Sequence, residues 1–285
     1  MDVIRCIDET FDINATLSYH LYLKLGLNGL SFCVFNSINN KFISLIHYPF
    51  DKSINPEVIY EEFENILTKD ELLGKEFKSV NCIYNSNNYC IVPNDLFEVK
   101  HSKLFFEYNH VLNELDELHY TKLKNINATV VFSIPNQFVN PLLNVFKSCQ
   151  IYSIATPIIE KAIEYSSNNK SSRFFFINFN TDNININVIS DSKLLLYNTF
   201  HYHTDTDIIY YLHNIAKQIN WEVKNIEIVC SGNIDKTDLL LKSLQPIFKN
   251  VKLQALDKEV VYSYTFNKVN LLEFNNLLNL HHCVL

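Results

Sequence analysis

The residue types that could do chemistry are few and lie far apart. His201-Tyr202-His203 carries two imidazoles at HxH spacing. Alternate residues of a strand share a face, so both rings would sit together, as in some metal sites, if the strand runs through them. Asp205 or Thr206, just beyond, reads as the cap of a helix, and spacing identifies no third ligand. His281-His282-Cys283 is a second run of ligand types and reads as a terminal tail. No metal site is expected from either run. The seven cysteines (Cys6, Cys33, Cys82, Cys90, Cys149, Cys230 and Cys283) are odd in number and have no CxxC spacing, so free thiols of a reducing compartment are expected. Four glycines in 285 residues exclude a P-loop and a GxGxxG loop, and there is no GxSxG elbow. A formal charge of −7 leaves no basic excess for a phosphate backbone, so no nucleic-acid partner is expected.

The elements that must position any site are clearer. The length and the 47% hydrophobic content fit two domains with real cores. Period-two alternation predicts strands over Tyr19 to Leu25, Leu30 to Phe35 and Phe42 to Phe50, with Asn28-Gly29 as a hairpin turn. A helix follows, with Asn55 as N-cap, Pro56 in its first turn, and Ile59, Phe63, Ile66 and Leu67 as its apolar stripe. Val80 to Tyr84 reads as a buried strand. The same order returns downstream: strands through Phe175 to Phe179, Ile184 to Val188 and Leu194 to His203, a helix with Ile208, Leu212, Ile215 and Ile219 inward, then a strand over Ile226 to Cys230.

The two copies align at a shift of 154, Leu21 on Phe175 and Val34 on Val188. The third strand shifts less, Lys41 on Lys193, and Val58-Ile59-Tyr60 falls on Ile208-Ile209-Tyr210. Between the copies, Asn88 to Pro93 and Ala128 to Ile134 read as strands. Phe138 to Phe146 has helical spacing that Pro141 delays or kinks. Ser166 to Ser172 is the best linker. The chain ends in a helix from about Asn267 to Leu280.

Two successive βββαβα units resemble the duplicated actin-like ATPase fold, an α/β, ribonuclease H-like architecture. The layout is most similar to the actin-like proteins of type IV pilus assembly, which carry a subdomain inserted in the first half. The segment Ala128 to Tyr165, with Val130-Val131-Phe132-Ser133-Ile134-Pro135 and then Ile154-Ala155-Thr156-Pro157, resembles the end of that insertion. Cys90-Ile91-Val92-Pro93-Asn94-Asp95-Leu96-Phe97 also resembles a Bacteroidetes family with this fold and no assigned activity. The resemblance implies domain I over 1–170, with an inserted subdomain at about 85–149, and domain II over 171–285.

Actin-like ATPases clasp phosphates between two hairpins with D-x-G-type turns. Here the resemblance places Lys24 where the first Asp belongs, ahead of Gly26. It places Asn178 for the second Asp, Asn180 for its Gly, Thr181 beside it, and Gly232 in the adenosine-side turn. These six residues are the implied nucleotide site, with ATP the one cofactor it points to. A Lys cannot hold a magnesium water, and Asn lacks the charge. The implied function is therefore a non-catalytic scaffold or adaptor with protein partners, by analogy an envelope-associated complex. The alternative is a nucleotide-binding switch or weak ATPase with substituted motifs. A ribonuclease H-like nuclease needs carboxylates on its first strand, and neither Tyr19 to Leu25 nor Arg173 to Asn180 has one. The acidic start lacks an apolar core and no apolar run reaches about 20 residues, so a cytoplasmic protein without membrane insertion is expected.

Overall fold

The computed structural model describes residues 3–50, 56–169, 173–235 and 239–284. Its contacts divide into two compact units. One holds Met1–Thr156, Asp257–Val269 and Leu277–Leu285; the other holds Pro157–Leu256 and Asn270–Asn276.

The first unit starts with β1 (Ile4–Ile7), the meander β2 (His20–Gly26), β3 (Gly29–Asn36) and β4 (Lys41–Pro49), helix α1 (Pro56–Lys69) and β5 (Ser79–Tyr84). Between Tyr84 and Gln150 come β6 (Tyr89–Pro93), α2 (Ser102–Glu107), β7 (Asp116–Lys122), β8 (Ala128–Pro135) and α3 (Asn136–Val145), followed by β9 (Gln150–Ser153). The main sheet has the order β1-β4-β3-β2-β5-β9, and β6-β8-β7 form a separate antiparallel sheet. Leu21, Tyr22 and Leu23 are all fully buried, so both faces of β2 are covered. One wall is aromatic: Tyr60, Phe63 and Tyr84 surround the ring of Phe138 from α3.

The second unit takes most of α4 (Ala155–Asn168), then β10 (Arg173–Phe179), β11 (Asn183–Ser190), β12 (Lys193–His201), α5 (Asp205–Gln218), β13 (Glu227–Gly232), α6 (Leu239–Leu244) and β14 (Asn250–Leu253). Its sheet order is β12-β11-β10-β13-β14. The chain then gives β15 (Val261–Tyr262), two 3-10 turns (Tyr264–Lys268 and Leu271–Phe274), α7 (Asn275–Leu278) and α8 (Leu280–Val284).

The two sheets repeat one pairing scheme. Leu21 pairs with Val34 and Leu23 with Phe32; Phe175 pairs with Val188 and Ile177 with Ile186, an offset of 154. Each meander has one irregularity, between Val34 and Phe35 and between Val188 and Ile189, which is again the same position. Beyond it Ser44 matches Leu196, an offset of 152. The parallel neighbours repeat too, Leu21 on Val80 and Phe175 on Ile228. Only the helix needs a correction. Val58 is 44% exposed while Ile208 is fully buried, and the buried stripes Ile59, Phe63, Leu67 and Ile208, Leu212, Ala216 match one residue later than the identity-based alignment.

Other expectations shift for local reasons. Asn55 lies outside the described residues. The Ser166 to Ser172 linker is helical at its start, because α4 runs to Asn168, and residues 170–172 lie outside the described residues. Helix α3 starts at Asn136 and simply contains Pro141. The expected C-terminal helix is broken into short pieces, with Asn270 capping one through Leu272 N. Thr204, not Asp205 or Thr206, caps α5, in a reciprocal box with Asp207. The contact division also differs from the boundary expected at 171: Pro157 opens the second unit, and residues 257–269, where β15 pairs with β4, join the first.

Gly232 ends β13 at φ +87°, and a Cβ there would lie 2.2 Å from the Phe179 carbonyl oxygen. Gly26 has no such φ, and its added Cβ would meet the Asn85 Cβ at 3.0 Å. Gly232→Ala should therefore cost about 2 kcal/mol or more in denaturant unfolding. Gly26→Ala should cost clearly less, and equal losses would contradict the close approach of β13 to β10.

Candidate functional site

In the first unit Lys24 on β2 pairs with Ser31 on β3, and Ser31 with His47 on β4. The three side chains form one polar row across the meander, two residues before the hairpin turn. Ser31 Oγ lies 2.8 Å from His47 Nδ1. Burial and then the Lys24 charge press the His47 pKa down to about 4, against a hydrogen bond to the Leu30 backbone. His47 is thus neutral beside a cation. The turn Leu27-Asn28 lies between paired Gly26 and Gly29. Gly29 is required there, with φ +149° and the Tyr48 carbonyl 2.5 Å from where a Cβ would lie.

The same offsets carry Lys24 to Asn178, Ser31 to Asn185 and His47 to Thr199. Asn178 pairs with Asn185, and Asn185 with Thr199, so the second unit has a polar row at the matching place. It closes on itself. Asn178 Nδ2 donates to Asn180 Oδ1 and Asn185 Oδ1, both at 3.3 Å, and Asn180 Nδ2 donates to Asn185 Oδ1 at 3.0 Å and Asn183 Oδ1 at 2.8 Å. Asn185 Nδ2 donates to Thr199 Oγ1 at 2.8 Å. Asn178 Oδ1 accepts from Asn276 Nδ2 at 3.0 Å, and Ser231 Oγ accepts from Asn275 Nδ2 at 3.2 Å. Asn178, Asn185 and Ser231 are buried, where unpaired amides would be costly.

Of the six implied residues, Asn178 and Asn180 meet directly. Gly232 pairs with Phe179 beside them, and Thr181 is exposed at the hairpin tip. Lys24 and Gly26 hold the equivalent places in the first unit. Ser31, His47, Asn185, Thr199 and Asn276 were not anticipated. The repeat offset marks the first four once the rows are drawn, whereas nothing in the sequence ties Asn276 to Asn178. Neither row contains a carboxylate. The nearest in sequence, Asp182, is exposed in the turn and accepts from Asn183 Nδ2 at 3.0 Å. Magnesium wants carboxylate or phosphate oxygens around its waters, so these residues do not fit a magnesium shell. His201 ends β12 and is exposed, as is His203. The strand stops between them, and His203 N donates to Asp207 instead. Among the described residues no group of metal-ligand side chains includes them.

A family model described as "Protein of unknown function (DUF3822)" matches residues 8–251, well over half of the chain. The chain belongs to this family. No curated protein matches it. Among solved structures, a Bacteroides thetaiotaomicron protein with actin-like ATPase fold and unknown function superposes with a TM-score of 0.82 at 24% identity, covering 96% of this chain and 99% of its own. The PilM–PilN type IV pilus biogenesis complex matches with a TM-score of 0.58 at 11% identity, over 93% of this chain and 98% of the other. The DUF3822 chain therefore has the actin-like ATPase fold. Among the described residues no helix is long and apolar enough to cross a membrane.

The lowered His47 pKa sets a pH dependence. Unfolded histidine takes its proton near pH 6.5, whereas folded His47 resists it down to about 4. Below about pH 6.5 the unfolded state binds more protons, so stability should fall as pH drops towards 4, by at most about 3 kcal/mol from this residue. His47→Gln should flatten that slope in urea melts taken from pH 7 to 4. An unchanged slope would contradict the neutral, Lys24-facing histidine.

Proposed function

We propose that the chain is a non-catalytic actin-like scaffold or adaptor that works in the cytoplasm through a protein partner. The observation that carries this reading is the closed Asn178–Asn180–Asn185–Thr199 network, which spends its amide donors on its own neighbours and holds no carboxylate. Phosphoryl transfer depends on positioning and charge stabilisation around a metal. A site without a metal organiser has lost the means of turnover whatever its fold.

Two further observations support a protein partner. The second solved structure above is itself a PilM–PilN complex, and by that analogy the partner would belong to an envelope-associated assembly. Seven of the eighteen large exposed apolar side chains among the described residues fall within residues 96–120, Leu96, Tyr108, Val111 and Leu115 among them. Apolar and aromatic side chains concentrated on one subdomain suit a protein interface. Lys24 favours a second reading, in which the cation pairs with a phosphate and the chain is a nucleotide-binding switch.

Phosphate release from Mg·ATP separates the readings. The scaffold reading expects no release above buffer and no effect of Asn178→Ala, since each lost electrostatic stabiliser costs about 10²–10³ in rate. Magnesium-dependent release that Asn178→Ala abolishes would overturn it.

A further inference from the structure

Asp257, His281 and His282 come together inside the first unit. Asp257 opens the stretch that returns to this unit after β14, and the histidines lie on α8. The segment is no loose tail: His281 and Cys283 are buried, and the ring of His281 packs on Phe35 and Phe42. Asp257 Oδ2 lies 2.6 Å from His282 Nε2 and 3.6 Å from His281 Nε2. The side chains of His281 and Asp257 are 8% and 9% exposed, and that of His282 31%.

The hydrogen bonding orients these groups as ligands. His281 Nδ1 lies 2.6 Å from the Leu278 carbonyl, which can only accept, so Nδ1 carries the proton. Neutral His281 then turns its Nε2 lone pair to Asp257. A backbone carbonyl on the far nitrogen is the outer contact that metal-binding histidines commonly use. His282 Nε2 is closed to solvent and makes no hydrogen bond, although it lies 2.6 Å from Asp257 Oδ2. The two ring centroids lie 3.8 Å apart with the planes tilted by 40°, so two imidazolium charges side by side would repel. Lys124 Nζ donates to the His282 carbonyl at 3.2 Å and places its charge on the backbone of α8.

We propose that Asp257, His281 and His282 hold a first-row divalent transition ion of the zinc class. Two imidazoles and a carboxylate match that chemistry, and three protein ligands leave one position for water. Bonds of about 2.0–2.1 Å in a tetrahedron set ligand atoms about 3.3 Å apart. The His281 gap already fits, and the His282 gap opens by less than about 1 Å. The ion clasps the Asp257 loop to α8. Neither returning stretch has much backbone pairing of its own, β15 being two residues and α8 five. The site is separate from the two polar rows and does not depend on the scaffold reading.

The test uses the full, tag-free chain stripped with a chelator. Zinc is titrated against a chromophoric chelator, cobalt is followed by visible absorption, and melting is recorded with and without zinc. The expected result is one zinc per chain, a zinc-dependent rise in melting temperature, and cobalt bands of a low-symmetry site. His282→Gln, at the half-exposed ligand, should weaken zinc binding at least tenfold and erase the cobalt bands while keeping the metal-free melting temperature. Asp257→Asn serves as the second variant. Binding that survives both changes, binding that His201→Ala removes instead, or no stoichiometric binding by the parent chain would each overturn the proposal.

Discussion

The first two meander strands of each unit are buried on both faces, and this constraint fixes the rest. Leu21 and Leu23 fill one side of β2 while Tyr22 fills the other, all fully buried. A one-residue slip would exchange the two sets and break both cores, so register is strongly specified. The second unit meets the same demand with Phe175 and Ile177 against Phe174 and Phe176. Once register is set, the irregularity in each meander and the two-residue hairpin turn follow at matched positions. So do the two polar rows, which sit where the strands run out into the turns.

What the rows contain is then a matter of electrostatics. A buried carboxylate would need a cation or several donors to stay charged. Asn178 is neutral and needs only complementary amides, which Asn180, Asn185 and Asn276 supply. Lys24 supplies charge in the first unit, where burial and then that charge favour a neutral His47. The two hairpins are equivalent in register, and the side chains at the end of the second are hydrogen-bonded to one another.

Much of this fold was legible because hydrophobic period and register are local properties. The strand triplets and the 154-residue offset follow from alternation and spacing, and the inserted stretch between Tyr84 and Gln150 from the family resemblance. Elements with little local signal were missed. β1 and β15 are four and two residues, and β7 reads Asp-Glu-Leu-His-Tyr-Thr-Lys, half-exposed and mostly polar. The site was legible only through the family resemblance, which placed Lys24 and Asn178 at the ends of the two hairpins. Asn276 and the Asp257–His281–His282 group depend on how the chain returns to a distant strand, which no periodicity records. His281-His282-Cys283 reads as a tail because three ligand-type residues near an end give no hint of the Phe35 and Phe42 rings that pack on His281.

The central claim is that the second row is a closed, neutral network. Side-chain amide NMR of Asn178 and Asn185 tests it most directly, with resonances assigned by single Asn→Ser changes and Mg·ATP then added in excess. A closed network predicts slowly exchanging side-chain NH₂ signals that keep their positions throughout the titration. Fast exchange before addition, or magnesium-dependent shifts on addition, would show amides open to a ligand and contradict the account.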